Sequence, residues 1–400
     1  IEGGRRGLAF ASGLAAEDTF LRTVCTPGDH VVVPGDAYGG TYRLFAKVLD
    51  RWGLDYTPAD GHEVDAFRAA IRPGERIPRR PSIMTHPHPT RRAWRVRHHL
   101  RRPALIFAAL AVVTSPARAQ QGLAGLEAYV EQGMRDWGVP GLALAVVKDD
   151  SVVLSRGFGV LQSGSAAPVD EHTLFAIAST TKAFTATALA MLVDEGKVRW
   201  DDPVSMHVPG FQLADPGLAS ELTVRDLLTH RTGLPNSDFL WYASGSSTEE
   251  IVRRMRFMRP FASPRSRYQY NNNAYMLAGQ VVQSASGMPW GEFVRRRILE
   301  PLGMRETLTG FTGLDARGNV ATPHQEVDGT IRPTRYLNFD NIGPAGSMNS
   351  SVHDVARWIR FQLAGGEWNG ERLVSEAQHR EMLTPQFVIP PAQYYPAARL

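Results

Sequence analysis

A serine and a lysine stand at the start of an apolar helical pattern over residues 178–195, and this segment most constrains the fold. Ser179 and Lys182 are three residues apart, so on a helix their side chains share one face, one turn apart. The start of a helix also offers free backbone N–H groups, which stabilise negative charge. A neighbouring amine can accept or hold the serine proton. The pair therefore predicts the nucleophile of an acyl-transfer enzyme.

The scarcity of lysine makes this pair more informative. The 400 residues include lysine only at positions 47, 148, 182 and 197, and only Lys182 has a serine three residues before it. A single S-x-x-K match is more often a pair of surface residues. Here the apolar residues 175–178 precede the serine and predict a buried site. Because a buried lysine without a partner is costly, we expect Lys182 to have a hydrogen-bond partner and a lowered pKa.

The residues before this helix predict a helix followed by a β-hairpin. Residues 123–137 carry apolar side chains at helical spacing. Residues 142–147 and 152–158 are apolar strand patterns, separated by the turn residues Asp149 and Asp150. The hairpin is predicted to be antiparallel.

Three further motifs follow the serine–lysine pair in order: Thr-His-Arg-Thr-Gly-Leu-Pro at 229–235, Tyr270-x-Asn272, and Ala-Gly-Ser-Met-Asn-Ser at 345–350. Taken alone, the tyrosine motif could be a polar loop that caps the next helix. Together, the four motifs resemble the serine β-lactamase/penicillin-binding superfamily, which carries S-x-x-K. The closest branch resembles class C β-lactamases and their esterase and D-aminopeptidase relatives. The resemblance extends from about residue 123 to residue 400.

This resemblance implies an α+β fold, with an antiparallel sheet flanked by helices and a helical subdomain. It assigns Ser179 as the nucleophile, Lys182 as its proton partner, Tyr270 as the general base and acid, and Asn272 as the residue that orients the acyl side chain. The Ser179 N–H would be one oxyanion donor. The expected reaction is acylation of Ser179 by an amide or ester, then release by water. It implies a small-molecule or short-peptide substrate, and neither metal nor cofactor.

Several features leave alternatives open. His230 could be mistaken for a catalytic base, but its place after the predicted capping box Thr223-x-x-Asp226 favours a structural turn. The aromatic residues 239–242 could line the pocket or belong to the core. The family also carries a K-T-G or H-x-G motif near its C-terminus, and residues 390–400 contain neither. We therefore expect a C-terminally truncated domain with poor activity.

Residues 1–75 alternate between strand and helix patterns, with a buried strand predicted at 29–34, a helix at 42–52 and another strand at 54–57, and this predicts a parallel sheet. The phrases at 11–18, 27–33 and 36–41 closely resemble the cystathionine γ-synthase family of pyridoxal phosphate (PLP) transsulfuration enzymes. The resemblance implies that backbone N–H groups of Gly13 and Leu14 bind the cofactor phosphate and that Tyr38 stacks on its ring. Such enzymes need a lysine that forms a Schiff base with the cofactor. Lys47 is the only lysine before residue 148, and its pattern fits a surface position. We therefore expect residues 1–75 to be an inactive piece of a fold-type I PLP enzyme.

The segment between these regions reads as a linker and a secretion signal. Residues 76–102 are strongly basic and predict a disordered linker rather than a nucleic-acid surface. Residues 103–119 combine an apolar run too short to span a bilayer with the small-residue site Ala117-Arg-Ala119, as in a signal peptide. The hydrolase domain would then be residues 120–400, periplasmic or secreted, although the family resembled by residues 1–75 is cytoplasmic. The chain begins at Ile1, and we expect a fusion fragment in which Met84 is the natural start.

Two other functions stay open from the sequence. One is PLP-dependent transsulfuration by the N-terminal part. The other is a non-catalytic penicillin- or peptide-binding protein that uses the same pocket. The sequence does not choose among β-lactam, peptide and ester substrates, because a fold hosts many chemistries. It also leaves the oligomeric state open.

Overall fold

The structure, a computed structural model, describes residues 125–387 continuously. Before them it describes residues 27–34 and 52–59 and a few single positions. The chain forms two compact units, one of residues 22–124 and one of residues 1–21 with 125–400. Within the described part of the chain, no helix is both long and apolar enough to cross a bilayer.

The unit of residues 22–124 contains a parallel strand pair. Strand β1 (His30–Pro34) pairs with β2 (Asp55–Ala59). The predicted parallel pairing of these two strands is confirmed. Phe45 and Leu49, from the helix predicted between them, are buried. The other predicted elements of residues 1–75, the three PLP residues Gly13, Leu14 and Tyr38, the linker at 76–102 and the signal segment at 103–119 lie outside the described residues.

The larger unit mixes helices with short strands, as expected of an α+β fold. Its first half contains α1 (Leu126–Trp137), β3 (Gly141–Lys148), β4 (Ser151–Gly159), β5 (Phe175–Ala176), α2 (Thr181–Asp194), α3 (Val204–His207), α4 (Pro216–Glu221), α5 (Val224–Leu228) and α6 (Thr248–Arg254). Its second half contains α7 (Asn272–Ser286), α8 (Trp290–Val294), a π-helical segment (Arg295–Leu299), α9 (Glu300–Leu302), β6 (His324–Val327), β7 (Thr330–Pro333), α10 (Gly343–Gly346), β8 (Asn349–Ser350), α11 (Val352–Leu363), β9 (Glu367–Trp368), β10 (Glu371–Arg372) and α12 (Glu376–Leu383).

The predicted hairpin is present as the antiparallel pair β3–β4. Asp149 and Asp150 have φ values of 49° and 60°, the left-handed conformation that a two-residue hairpin turn requires and that Asp tolerates. Arg360 of α11 donates to the Asp150 carboxylate at 2.9 Å. Helix α11 packs along this hairpin. Among the residues that the structure describes, β3 and β4 form a two-stranded sheet.

Helix α2 is the centre of the larger unit. Ten of its 14 residues are buried, because its sequence is apolar or small on every face. It packs against α7, α10 and α12. The Asn271 side chain accepts the Ala274 N–H and so begins α7 beside it. The first residues of two buried helices therefore lie next to each other.

Two close contacts bring the 345–350 motif to the same place. Strand β5, just before Ser179, pairs with β8 through Ala176 and Asn349. Helix α10 approaches α7 so closely that a Cβ on Gly279 would lie 2.0 Å from Pro344 Cγ. Only glycine allows this approach. The pairing and the packing set where the carbonyl groups of α10 lie relative to α2.

Candidate active site

Ser179 lies in a short 3-10 turn, Ala178–Thr180, that leads directly into α2. Ala178 has a φ of 43°, a left-handed conformation that is uncommon for a residue with a Cβ. The prediction of a buried site is wrong for Ser179, which is exposed, although Lys182 of the same site is buried. The apolar residues 175–178 do not cover the serine. They form β5 and the turn at Ala178, and Ser179 faces solvent. Its hydroxyl is open to a substrate.

Lys182 lies one turn further along and is only 8% exposed. Its Nζ donates to Ser179 Oγ at 3.1 Å, to Asn272 Oδ1 at 2.9 Å and to the Ala345 carbonyl at 2.7 Å. Burial lowers the Lys182 pKa from 10.5 to about 7, and the Asp238 carboxylate opposes that shift in part. The expected partners and lowered pKa are therefore present in the structure.

The Tyr270 hydroxyl lies 2.6 Å from Ser179 Oγ. Its ring also faces the lysine, with Nζ 4.8 Å from the ring centroid. The hydroxyl of Ser179 thus contacts both groups that the sequence singled out as proton carriers. All four predicted residues of this site, Ser179, Lys182, Tyr270 and Asn272, are joined by hydrogen bonds.

Asn272 is the first residue of α7, and it bridges Lys182 to a residue that the sequence did not predict. Its Nδ2 donates to Asp238 Oδ1 at 3.1 Å, while its Oδ1 accepts from Lys182. Asp238 also accepts from the Trp241 indole N–H at 2.8 Å. No local pattern around Asp238 indicates this contact, because it depends on a loop that folds back onto α7.

The His230 ring packs against the Tyr270 ring. Its ring centroid lies 4.4 Å from that of Tyr270 and 5.2 Å from that of Tyr275. Its Nδ1 accepts the Asn271 backbone N–H at 3.2 Å, and its backbone has a φ of 56°. Burial, together with nearby Lys182, lowers the His230 pKa to about 4, so the ring is neutral near pH 7. These contacts agree with the predicted structural turn.

The aromatic residues 239–242, which the sequence left open as pocket lining or core, differ in burial. Trp241 is buried, with its ring 5.5 Å from that of Phe339. Phe239, in the same 3-10 turn as Asp238, is 94% exposed, and Tyr242 is 48% exposed. One aromatic residue therefore anchors the loop, and two lie at the surface beside it.

The hydrogen bonds to Lys182 define what its nitrogen can do. A protonated amine has three N–H groups, and here three acceptors receive them. The Ala345 carbonyl and Asn272 Oδ1 can only accept. When the amine is neutral, its two N–H groups satisfy these two acceptors and its lone pair points at Ser179 Oγ. The site therefore directs the free base toward the serine.

Comparison with known proteins identifies related families in both parts of the chain. Residues 126–396 match the family model described as Beta-lactamase. Residues 1–77 match the model described as Cys/Met metabolism PLP-dependent enzyme.

Curated relatives and a solved structure resemble the larger unit. An unguisins hydrolase of Aspergillus violaceofuscus is 32% identical over 249 residues, 58% of this chain and 44% of that protein. Protein flp of Staphylococcus aureus is 26% identical over 242 residues, 60% of this chain and 48% of that protein. The octameric penicillin-binding protein homologue from Pyrococcus abyssi aligns with a TM-score of 0.58 and 28% identity, covering 66% of this chain and 60% of that one. The chain thus spans less than half of the length of these curated relatives.

Proposed function

This chain belongs to the beta-lactamase family, and on that premise we propose that its larger unit is a serine hydrolase that is acylated at Ser179. One observation carries the proposal. An exposed serine hydroxyl lies within hydrogen-bond distance of both Lys182 Nζ and Tyr270 OH. A nucleophile beside a base that is itself held in place is the arrangement that covalent catalysis requires.

The family resemblance assigns the general base to Tyr270, but the hydrogen bonds of Lys182 leave its lone pair for Ser179. In the proposed reaction, neutral Lys182 therefore accepts the Ser179 proton as Oγ attacks the carbonyl carbon of an amide or ester. The tetrahedral intermediate collapses as Tyr270 donates its proton to the leaving amine or alkoxide, and Lys182 returns a proton to Tyr270. Water then attacks the acyl-enzyme, the same groups accept its proton, and Ser179 Oγ leaves as the hydroxyl. The N–H of Ser179, in the 3-10 turn that leads into α2, is the proposed oxyanion donor.

The surface beside the site favours an acyl donor with an apolar group. Phe239 follows Asp238, which contacts Asn272 of the site, and nearly all of its side chain is exposed. Tyr242 lies in the same loop, and Leu337, near Phe339, is 46% exposed. Burying such side chains under a substrate stabilises the complex. An apolar acyl group on a small molecule or short peptide fits this surface, and the choice of β-lactam, peptide or ester remains for experiment.

A second candidate for the same pocket is a non-catalytic penicillin- or peptide-binding protein. In such a protein Ser179 either keeps its acyl group or is never acylated. The separate PLP-dependent activity is favoured only by the match of residues 1–77, in which Lys47 is the sole lysine. Gly13, Leu14 and Tyr38 would hold that cofactor, and they lie outside the described residues. Absorbance of bound PLP after its addition to the full chain would support this second activity.

The deciding experiment measures the intact mass of the full chain after treatment with a fluorophosphonate or with penicillin. We expect one covalent adduct on the wild type and none on Ser179→Ala. Ser220→Ala is the matched control, because Ser220 is exposed and bonds only a local carbonyl in the described part of the chain. Adduct on Ser179→Ala, or none on folded wild type with either reagent, contradicts the proposal. A penicillin adduct that persists for hours favours the binding protein.

A further inference from the structure

We propose that Asp238 is a positioning residue for Lys182, because it fixes the amide of Asn272 so that the carbonyl oxygen faces the lysine and the NH₂ group faces away. This inference rests on the proposed serine hydrolase function and adds a residue to it. Asp238 contacts neither Ser179 nor Tyr270 among the described hydrogen bonds, so its hydrogen bonds reach the site through Asn272, while its charge also raises the pKa of Lys182.

The hydrogen-bond chemistry of the two neighbours fixes the orientation of the amide. A carboxylate can only accept, so the side of Asn272 that faces Asp238 must be its NH₂ group, 3.1 Å away. The opposite side is then the carbonyl oxygen, which accepts from Lys182 Nζ at 2.9 Å. A neutral acceptor–donor residue in place of Asp238 would allow both orientations.

The orientation decides where the lysine lone pair points. With the oxygen toward Nζ, one N–H of the neutral amine is used by Asn272 and the other by the Ala345 carbonyl. The lone pair is left for Ser179. With the amide turned round, its NH₂ group would donate to the lysine lone pair. The base would then be occupied by Asn272 and unavailable to the serine proton.

The surroundings of Asp238 hold it in place for this role. The Trp241 indole N–H donates to the same Oδ1 that accepts from Asn272. The Asp238 backbone N–H donates to Asn236 Oδ1 at 3.1 Å. Trp241 is in turn buried, and its carbonyl accepts from Asn341. The carboxylate thus has a fixed place relative to α7.

The simpler explanation is that Asp238 only anchors the loop through Trp241. The two explanations differ in whether the effect of Asp238 depends on Asn272. If Asp238 acts by orienting the amide, its replacement has nothing left to disturb once Asn272 is alanine. A loop anchor would matter equally with or without that amide. A double-mutant cycle measures this dependence.

The experiment compares the rate of fluorophosphonate adduct formation in wild type, Asp238→Asn, Asn272→Ala and the double variant of the full chain. Rates are measured at pH 9, where Lys182 is neutral. At this pH the loss of the Asp238 charge does not change the protonation of Lys182. We expect Asp238→Asn to acylate about 10- to 100-fold more slowly, part of what proton transfer contributes. In the Asn272→Ala background the same change should alter the rate less than twofold.

Three further variants complete the test. Asp328→Asn, an exposed turn residue with a φ of 50° that Asn tolerates, is the matched control and should acylate like wild type. Asp238→Glu keeps an acceptor-only side chain and should recover part of the rate lost in Asp238→Ala. An equal loss from Asp238→Asn in both backgrounds, or no loss in wild type, overturns the inference. If the wild type itself forms no adduct, the proposed function fails instead.

Discussion

The Nζ of Lys182 lies 2.7 Å from the carbonyl oxygen of Ala345, a residue 163 positions later in the chain. That carbonyl and Asn272 Oδ1 occupy two of the three directions around the nitrogen. The third direction contains Ser179 Oγ. Two acceptors therefore hold the Lys182 nitrogen in either protonation state, and protonation changes only its hydrogen bond with the serine.

The first prediction concerns pH. Because burial lowers the Lys182 pKa to about 7, the amine is protonated below that pH and neutral above it. The rate of adduct formation at Ser179 should therefore rise through about pH 7 and level off by about pH 9. Lys182→Met should lower the plateau by about 10²- to 10⁴-fold and remove the pH step. Lys197→Met, which changes an exposed ion pair with Glu195, is the control. A profile that is flat from pH 5 to 9 would argue against Lys182 as the base.

The second prediction concerns Tyr270. Replacement by Phe removes the hydroxyl that contacts Ser179 Oγ and keeps the ring beside His230 and Lys182. Hydrolysis should slow by about 10²-fold or more, the usual contribution of a general acid or base. The melting temperature should change little, because the ring contacts remain. Steady-state kinetics and thermal melting measure the two effects, and a variant with wild-type turnover would exclude the proposed role.

The third prediction concerns the apolar surface beside the site. Phe239 is 94% exposed, so Phe239→Ala should leave the stability nearly unchanged. It should raise KM for esters with long or aromatic acyl groups by about 10-fold, the effect of about 1.4 kcal/mol of lost apolar burial. Acetyl esters should be unaffected. Phe257→Ala, at a residue that is 73% exposed in another turn, is the control. Equal effects on short and long acyl esters would show that Phe239 does not bind the acyl group.

The fourth prediction concerns stability at acid pH. His230 is buried, and its pKa falls from 6.5 to about 4 on folding. Between these values the unfolded chain binds the proton and the folded chain does not. This contribution to stability is therefore complete above pH 6.5 and is lost as the pH falls to 4, by on the order of 3 kcal/mol. Urea unfolding of wild type and His230→Gln at pH 7 and pH 4.5 should show a smaller pH dependence in the variant. If wild type and variant lose the same free energy of unfolding between pH 7 and pH 4.5, groups other than His230 cause the loss of stability at acid pH.

The fifth prediction concerns the approach of α10 to α7. Gly279→Ala would place a Cβ 2.0 Å from Pro344 Cγ, so α10 must move. We expect a loss of about 1–3 kcal/mol in stability from overpacking. Acylation at Ser179 should slow as well, because α10 contains the Ala345 carbonyl. Gly133→Ala is the matched control, since a Cβ there meets nothing within 4 Å in a helix interior. It should gain up to about 1 kcal/mol. If Gly279→Ala changes neither the stability nor the rate of acylation, α10 can shift freely.

Local patterns were sufficient for much of the fold. The alternation in residues 142–158 with the Asp149–Asp150 turn predicted the β3–β4 hairpin, and the Thr223–Asp226 spacing predicted the capping box that begins α5. The apolar pattern after Ser179 predicted α2, which begins two residues later because a 3-10 turn precedes it. Each of these features depends on neighbours within one or two turns of chain, so a single sequence contains the information.

The sequence by itself determined which chemical groups are available for the proposed acyl transfer, because the spacing of Ser179, Lys182, Tyr270 and Asn272 resembles a known family. Tertiary structure decided how they work together. It exposed Ser179, which an apolar sequence context had suggested was buried. It also selected the carbonyl of Ala345 as a lysine partner and Asp238 as a partner of Asn272. Every residue has a carbonyl and many loops have an aspartate, so only the packing of α2, α7 and α10 singles these out.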